Sequence, residues 1–208
     1  MQKLRMARVS DARERLLQAA LILIWESSYG STSVDAMCQR AQVNKGSFYH
    51  FFHSKEELAV ATLDREWARW KQVMDTHFSP LIPPLERFTR MHAAAVSQQE
   101  EMARTVGFVV GCPLFSLGSE VGTQHEMIRQ KVDEILGEKL RYLESTIAEA
   151  HARKIIHAPN SAAKARILLS YIEGQMTRAR IENSLSPIHE IEAGVLDILG
   201  VATAVSLV

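Results

Sequence analysis

Residues 41–58 read Ala41-Gln42-Val43-Asn44-Lys45-Gly46-Ser47-Phe48-Tyr49-His50-Phe51-Phe52-His53-Ser54-Lys55-Glu56-Glu57-Leu58. Asn44 can cap a short helix running from Lys45 to about Phe51, because its side chain accepts from N–H groups that a helix start leaves unpaired. Phe48, Phe51 and Phe52 give this helix a side that locks it to its neighbours. Its other side is polar, basic and aromatic, which suits the DNA major groove, about 12 Å wide and able to admit one helix. Lys45 and the N–H groups at the helix start can meet phosphates. Gly46 lets the backbone approach closely, and Tyr49 and His50 can reach phosphate, sugar or base edges. Just upstream, Ser33 can cap a second short helix, Val34 to about Ala41, with Val34 and Met37 packed beneath the first. Two short helices joined by a tight turn imply a DNA-reading head.

Outward from this motif the chain is helical throughout, with no competing strand pattern. Ser10 can cap a first helix with an apolar face at Leu16, Leu17, Ala20, Leu21 and Ile24, ending near Ser28. Ser54 and Glu57 have capping-box spacing and open a long helix with a stripe at Leu63, Trp67, Trp70 and Met74. Further helices are expected from about Leu85 to Met102, within 107–122, from about Gln124 to Ala152 and from about Ala162 to Asn183. Ser186-Pro187 starts a last helix, N-cap then proline in the first turn, with apolar residues at Ile188, Ile191, Val195, Ile198, Ala202 and Val205 and a second row at Leu196 and Leu199. Two rows call for a partner copy. The expected fold is all-α: about nine helices, a head at 1–53 and a body at 54–208, linked by the helix starting at residue 54.

Thr32-Ser33-Val34, the run from Ala41 to Phe52, and Ser54-Lys55-Glu56-Glu57-Leu58 together resemble the DNA-binding signature of the TetR repressor family. The resemblance spans roughly residues 10–58. It implies an all-helical homodimer whose first three helices bind DNA, whose last two form the dimer interface and whose body senses a small molecule. Carried over residue by residue, Thr32, Ser33, Lys45, Ser47, Tyr49, His50 and Lys55 would touch DNA, with Gly46 allowing the close approach. Three positions depart from the pattern. Gln42 stands where glycine is usual, a strain if the site needs positive φ; Asn44 replaces a frequent serine; His53 replaces small or lysine-like residues.

Composition agrees with this reading. The 208 residues are 47% apolar, enough for a real core. Of 24 basic and 24 acidic residues, seven and four fall in 1–53, leaving 17 and 20 in the body. A basic head on an acidic body fits a DNA-binding module joined to another kind of domain. Lys3, Arg5 and Arg8 form a basic arm that could enter a minor groove. No apolar run approaches a membrane span and no signal-peptide pattern appears, so a cytoplasmic location is expected. With two cysteines, Cys38 and Cys112, and no Cys-x-x-Cys or His-Glu-x-x-His, neither a disulfide framework nor a metal site is expected, and no cofactor is implied.

For the effector site the sequence offers aromatic and polar candidates in the body: Trp67, Trp70, Phe108, Phe115 and Tyr171, which are otherwise core residues, and His92, Gln175 and Arg178, which interrupt apolar faces. Cys38 reads as a small core residue. Cys112 lies in Gly111-Cys112-Pro113-Leu114-Phe115, which resembles the start of the sixth helix in a branch of the family where a nearby cysteine senses electrophiles. It flanks a helix start, where the dipole favours a thiolate, and glycines at 107, 111, 118 and 122 would let the segment shift. Arg104 is its nearest basic residue in sequence. A Cys-dependent enzyme, pairing Cys112 with His125 or His92, is the alternative class; no motif places a third group and no Gly-x-Ser-x-Gly occurs, so the chain is read as a non-enzyme. A purely architectural DNA-binding protein would not need so large a body. The expectation is a repressor released from a palindromic operator by a small-molecule effector, with a thiol-reactive sensor at Cys112 as the alternative.

Overall fold

Each short helix of the head is closed by a side chain within three residues of its start. In the computed structural model, which describes the backbone of residues 2–201 and the side chains of residues 11–201, α1 spans Gln2–Glu26 and α2 spans Val34–Ala41. Ser33 Oγ accepts the Ala36 N–H at 3.1 Å. Helix α3, Lys45–Phe51, starts where Asn44 Oδ1 accepts the Ser47 N–H at 2.7 Å. Helix α4, Lys55–His77, starts with Ser54 Oγ accepting the Glu57 N–H at 3.0 Å. Glu57 reaches back to the His53 N–H at 2.7 Å, one residue earlier than a capping box would have it. Residue 10 is not a helix start, since α1 is already under way at Gln2. The side chains of Lys3, Arg5 and Arg8 and the residues Ala202 and Val205 lie outside the described residues.

The later helices are α5 (Pro84–Val106), α6 (Pro113–Val121), α7 (Glu126–Ala152), α8 (Ser161–Glu182), α9 (Ser186–His189) and α10 (Ile191–Leu199). Among the described residues there are ten helical segments and no strand. The count exceeds the sequence expectation because the last helix is split at Glu190 into a single turn and a longer piece.

The chain folds as two compact units. One holds residues 1–68 and 113–134; the other holds 69–112 and 135–208. In the first, Leu16, Leu17 and Ala20 of α1 meet Met37 and Cys38 of α2, Phe48 and Phe52 around α3, and Leu58 of α4. In the second, α10 packs on α8 and α5, with Leu168, Ile188, Ile191, Val195 and Leu199 buried. Gly194 leaves room for a neighbouring ring: a Cβ on it would lie 2.0 Å from the Tyr171 hydroxyl, and the tyrosine would have to shift.

Helix α2 ends at Gln42, held at φ 53°, in the left-handed region. Val43 N–H returns to Cys38 O at 3.0 Å and Gln42 N–H to Gln39 O at 3.1 Å, which closes the helix end. The left-handed region disfavours a residue with a Cβ by about 1–2 kcal/mol, and the chain entropy of glycine offsets part of the relief. Gln42→Gly is therefore expected to stabilise the protein by about 0.5–1 kcal/mol. Thermal unfolding should show a higher Tm; an unchanged or lower value would remove the strain argument.

Candidate functional site

Helix α3 presents one side to the core and the other to solvent. Phe48 is fully buried, whereas Tyr49 is 53% exposed. Lys45, Gly46 and His50 are exposed as well. Lys45 Nζ pairs with Asp35 of α2 at 2.7 Å, both side chains remaining largely in solvent. Its hydrogen bond to Asp35 raises the Lys45 ammonium above its ordinary value, so the charge is always present. Ser33 and Ser47 have backbone roles at the helix starts, Ser33 by its hydroxyl and Ser47 by its N–H.

Two residues expected to face DNA point elsewhere. Thr32 is buried, and its hydroxyl donates to Ser28 O at 2.7 Å. Lys55 turns into the loop between α1 and α2, donating to Tyr29 O at 2.8 Å and Thr32 O at 3.1 Å. Its ammonium lies 4.0 Å from the centroid of the Tyr29 ring. Desolvation lowers its pKa, with Glu120 acting in the opposite sense. The same loop is held from α6: Glu120 accepts the Tyr29 N–H at 2.9 Å and the Gly30 N–H at 2.7 Å. Thr32 and Lys55 thus set the geometry of the α2 start. The family resemblance that placed Lys55 against DNA carries no information about this inward turn.

The effector candidates fall apart into two sets. Trp67 and Phe115 belong to the first unit; Trp70, His92, Phe108, Cys112, Tyr171, Gln175 and Arg178 belong to the second. His92 is committed to packing, its Nε2 2.8 Å from Ile188 O and its Nδ1 3.3 Å from Glu192. Tyr171 donates to Glu190 O at 3.3 Å and accepts from Gln175 Nε2 at 3.1 Å. Arg178 is no buried polar group: its side chain is 50% exposed and pairs with Glu182 at 2.7 Å.

Cys112 has a more developed setting. The segment before it is tied residue by residue. Val109 N–H donates to Asn183 Oδ1 at 2.9 Å, and Arg180 Nη1 donates to Val110 O at 3.2 Å. Buried Gln99 of α5 pairs with both groups of Gly111, donating to its O at 3.1 Å and accepting its N–H at 3.2 Å. Gly111 has φ 66°, and a Cβ on it would sit 3.0 Å from Met176 O of α8. This glycine serves close approach, not the mobility expected of it. The result is a buried thiol directly before α6, with Lys139 Nζ of α7 at 3.9 Å from its Sγ. Glu173 of α8 accepts from the same ammonium at 2.7 Å. Sequence reading missed Lys139 and Glu173. The available signal was a charge on a core face: Lys139 follows Ile135 and precedes Leu143 at helical spacing, and Glu173 follows Leu169.

The comparisons match this architecture. The family model for bacterial regulatory proteins of the tetR family matches residues 16–62, and the tetracyclin repressor-like C-terminal domain matches residues 84–195. The transcriptional regulator AcuR of Cereibacter sphaeroides is 32% identical over 187 residues, covering 86% of this chain and 81% of that protein. The HTH-type transcriptional repressor NemR of Escherichia coli is 28% identical over 193 residues, covering 91% and 94%. Among solved structures, the regulatory protein TetR from Rhodobacter sphaeroides superimposes with a TM-score of 0.78 at 28% identity, covering 88% of this chain and 96% of that one. The fold and its head define a DNA-binding transcriptional regulator. The chain belongs to the TetR family.

The inward turn of Lys55 can be tested by stability. Lys55→Met keeps the stem but removes the donor to two partly buried carbonyls, which should destabilise the protein by about 1–3 kcal/mol in denaturant unfolding. Lys45→Met, at an exposed pair, should leave the unfolding midpoint close to that of wild type. Equal small effects would return Lys55 to the surface.

Proposed function

We propose that the protein is a homodimeric repressor that reads a palindromic operator with α3 and leaves it when a small-molecule effector occupies the helical second unit. The observation that carries the reading is the two-sidedness of α3: a fully buried Phe48 behind an exposed Tyr49. The DNA contacts assigned are Ser33, Lys45, Gly46, Ser47, Tyr49 and His50, with Thr32 and Lys55 supporting them from inside. Dimerisation is supported by α8, which exposes Ile167 and Ile181 on one side together with Ser170, Gly174 and Arg178. A two-fold dimer presents two recognition helices, so half-sites recur with inverted symmetry about one helical turn apart or more. No helix among the described residues is long and apolar enough to cross a membrane; the proposed site of action is DNA in the cytoplasm.

A second reading is favoured by the ammonium beside Cys112. A thiol near a lysine and directly before a helix has the surroundings that promote thiolate chemistry. In this reading, modification of Cys112 is the effector event. From Cys112 the chain runs directly into α6, whose Glu120 grips the loop ahead of α2.

Gel shifts test the first reading. Tyr49→Ala and Lys45→Ala should each weaken operator binding without unfolding the protein, and Lys45→Ala should flatten the salt dependence by about one unit of slope. Unchanged affinity in both variants would refute the placement. For the second reading, an electrophile should lower operator affinity of wild type and spare Cys112→Ser; equal loss, or none, makes Cys112 a packing residue.

A further inference from the structure

The buried side of α7 is an apolar stripe broken twice. Ile135, Lys139, Leu143, Thr146 and Ala150 recur at three-four spacing and share one face. Ile135, Leu143 and Ala150 are its buried apolar members. Lys139 and Thr146 are the breaks, two turns and about 10 Å apart along the axis. Glu173 of α8 takes the Lys139 ammonium on its Oε1 at 2.7 Å, the two side chains being 3% and 12% exposed. Its other oxygen, Oε2, is buried with no hydrogen-bond partner among the described residues. The hydroxyl of fully buried Thr146 is in the same state. Thr62 and Thr177, also helical, donate to the carbonyl four residues back at 2.8 Å. Thr146 leaves that bond unmade, and Tyr142 O accepts from Ser145 Oγ instead, at 3.1 Å. A buried polar group without a partner is costly. Two of them inside the second unit mark places that polar atoms from outside the chain complete.

The groups themselves say what can complete them. Glu173 Oε2 can only accept. Lys139 has three ammonium hydrogens; one goes to Glu173, a second lies 3.9 Å from the Cys112 sulfur, and the third goes to neither. A hydroxyl can donate to Oε2 and accept from Lys139 at once, whereas an ether oxygen only accepts and an ammonium only donates. Lys139 stays protonated: burial pulls its pKa down, but Cys112 and Glu173 together hold it above the ordinary lysine value. The pair is therefore balanced, and a ligand ion beside it would be an uncompensated charge in the interior. At the other break, the Thr146 hydroxyl can donate or accept. Resting on the effector-release reading above, we propose that the second unit takes an uncharged alcohol whose hydroxyl bridges Glu173 and Lys139. Its apolar carbons run past Leu143, and a second polar atom, about 10 Å from the first, reaches Thr146. Selection falls on the hydroxyl, because a ligand without one leaves the same buried groups unpaired.

The test measures affinities by titration calorimetry on the full-length protein. The probes are 1-octanol, its methyl ether, octylamine, octanoate and 1,8-octanediol. Wild type should bind 1-octanol about tenfold or more tighter than the ether, and tighter than the amine or the carboxylate at neutral pH. Lys139→Met/Glu173→Leu removes both charges together and so leaves no unpaired ion; it should bind the ether at least as well as the alcohol. Thr146→Val keeps the side-chain shape without the hydroxyl. It should weaken 1,8-octanediol about threefold or more and leave 1-octanol unchanged. Four results would each overturn the hydroxyl site: no binding of 1-octanol, tighter binding of a charged probe, equal affinity for alcohol and ether in wild type, or an alcohol preference that survives in the double variant. Equal affinity is what water on both groups would give. Unchanged diol affinity in Thr146→Val overturns the contact at the far end. The wild-type comparison of alcohol with ether decides the matter even where the double variant does not fold. Operator binding with the alcohol site saturated is a separate measurement. Unchanged operator affinity there overturns effector release, while the calorimetry still decides the site.

Discussion

The loop from Ser27 to Ser33 is where the DNA-reading head acquires its shape. A loop has no helix ladder to pair its backbone, and each of its N–H and C=O groups needs a partner. Two opposite charges supply them. Lys55 donates to the carbonyls of Tyr29 and Thr32, and Glu120 accepts the N–H groups of Tyr29 and Gly30. The Tyr29 ring lies between them, with the Lys55 ammonium over one face and the His125 ring edge-on at 5.1 Å. Burial, then the carboxylates of Glu56 and Glu120, push its phenol up to about 12, so the ring stays neutral among these charges. Because the loop ends at Ser33, the cap of α2, fixing it fixes the direction in which α2 and α3 leave.

What the sequence makes legible here is local. Ser33 with Ala36, Asn44 with Ser47 and Ser54 with Glu57 are contacts three residues apart, and a capping side chain can be recognised at that range. The αL conformation at Gln42 was legible for the same reason, as a glycine position occupied by another residue. The apolar stripes of α1 and α7 gave the long helices, since burial repeats with the helical period. Contacts between distant residues leave no such trace. Glu120 meets Tyr29 across 91 positions and Lys139 meets Cys112 across 27. The bonds of Lys55 to the loop carbonyls were not legible, because a lysine beside a recognition motif looks the same whether it points to solvent or into a turn. The break at Glu190 also escaped: its φ and ψ of −78° and −14° are still helical, so no proline or glycine announces it.

Three lysines show how environment, not residue type, sorts function. Lys45 is held by Asp35 in a pair with both side chains well exposed. Such exposed pairs contribute little to stability, so the ammonium is readily exchanged to another partner and Asp35 is solvated without it. Lys55 is bound to two carbonyls inside the head, so two of its three donors are already committed to the loop. Lys139 lies deepest, with a carboxylate on one side and sulfur on the other. There the low local dielectric strengthens its field, and solvent cannot screen it from the thiol. A mobile surface charge suits reversible contact with a polyanion; a fixed internal one suits tuning a single reactive atom. Lys45 and Lys139 stand at the two extremes: one ammonium is exchangeable at the surface, the other is fixed by Glu173 inside the second unit.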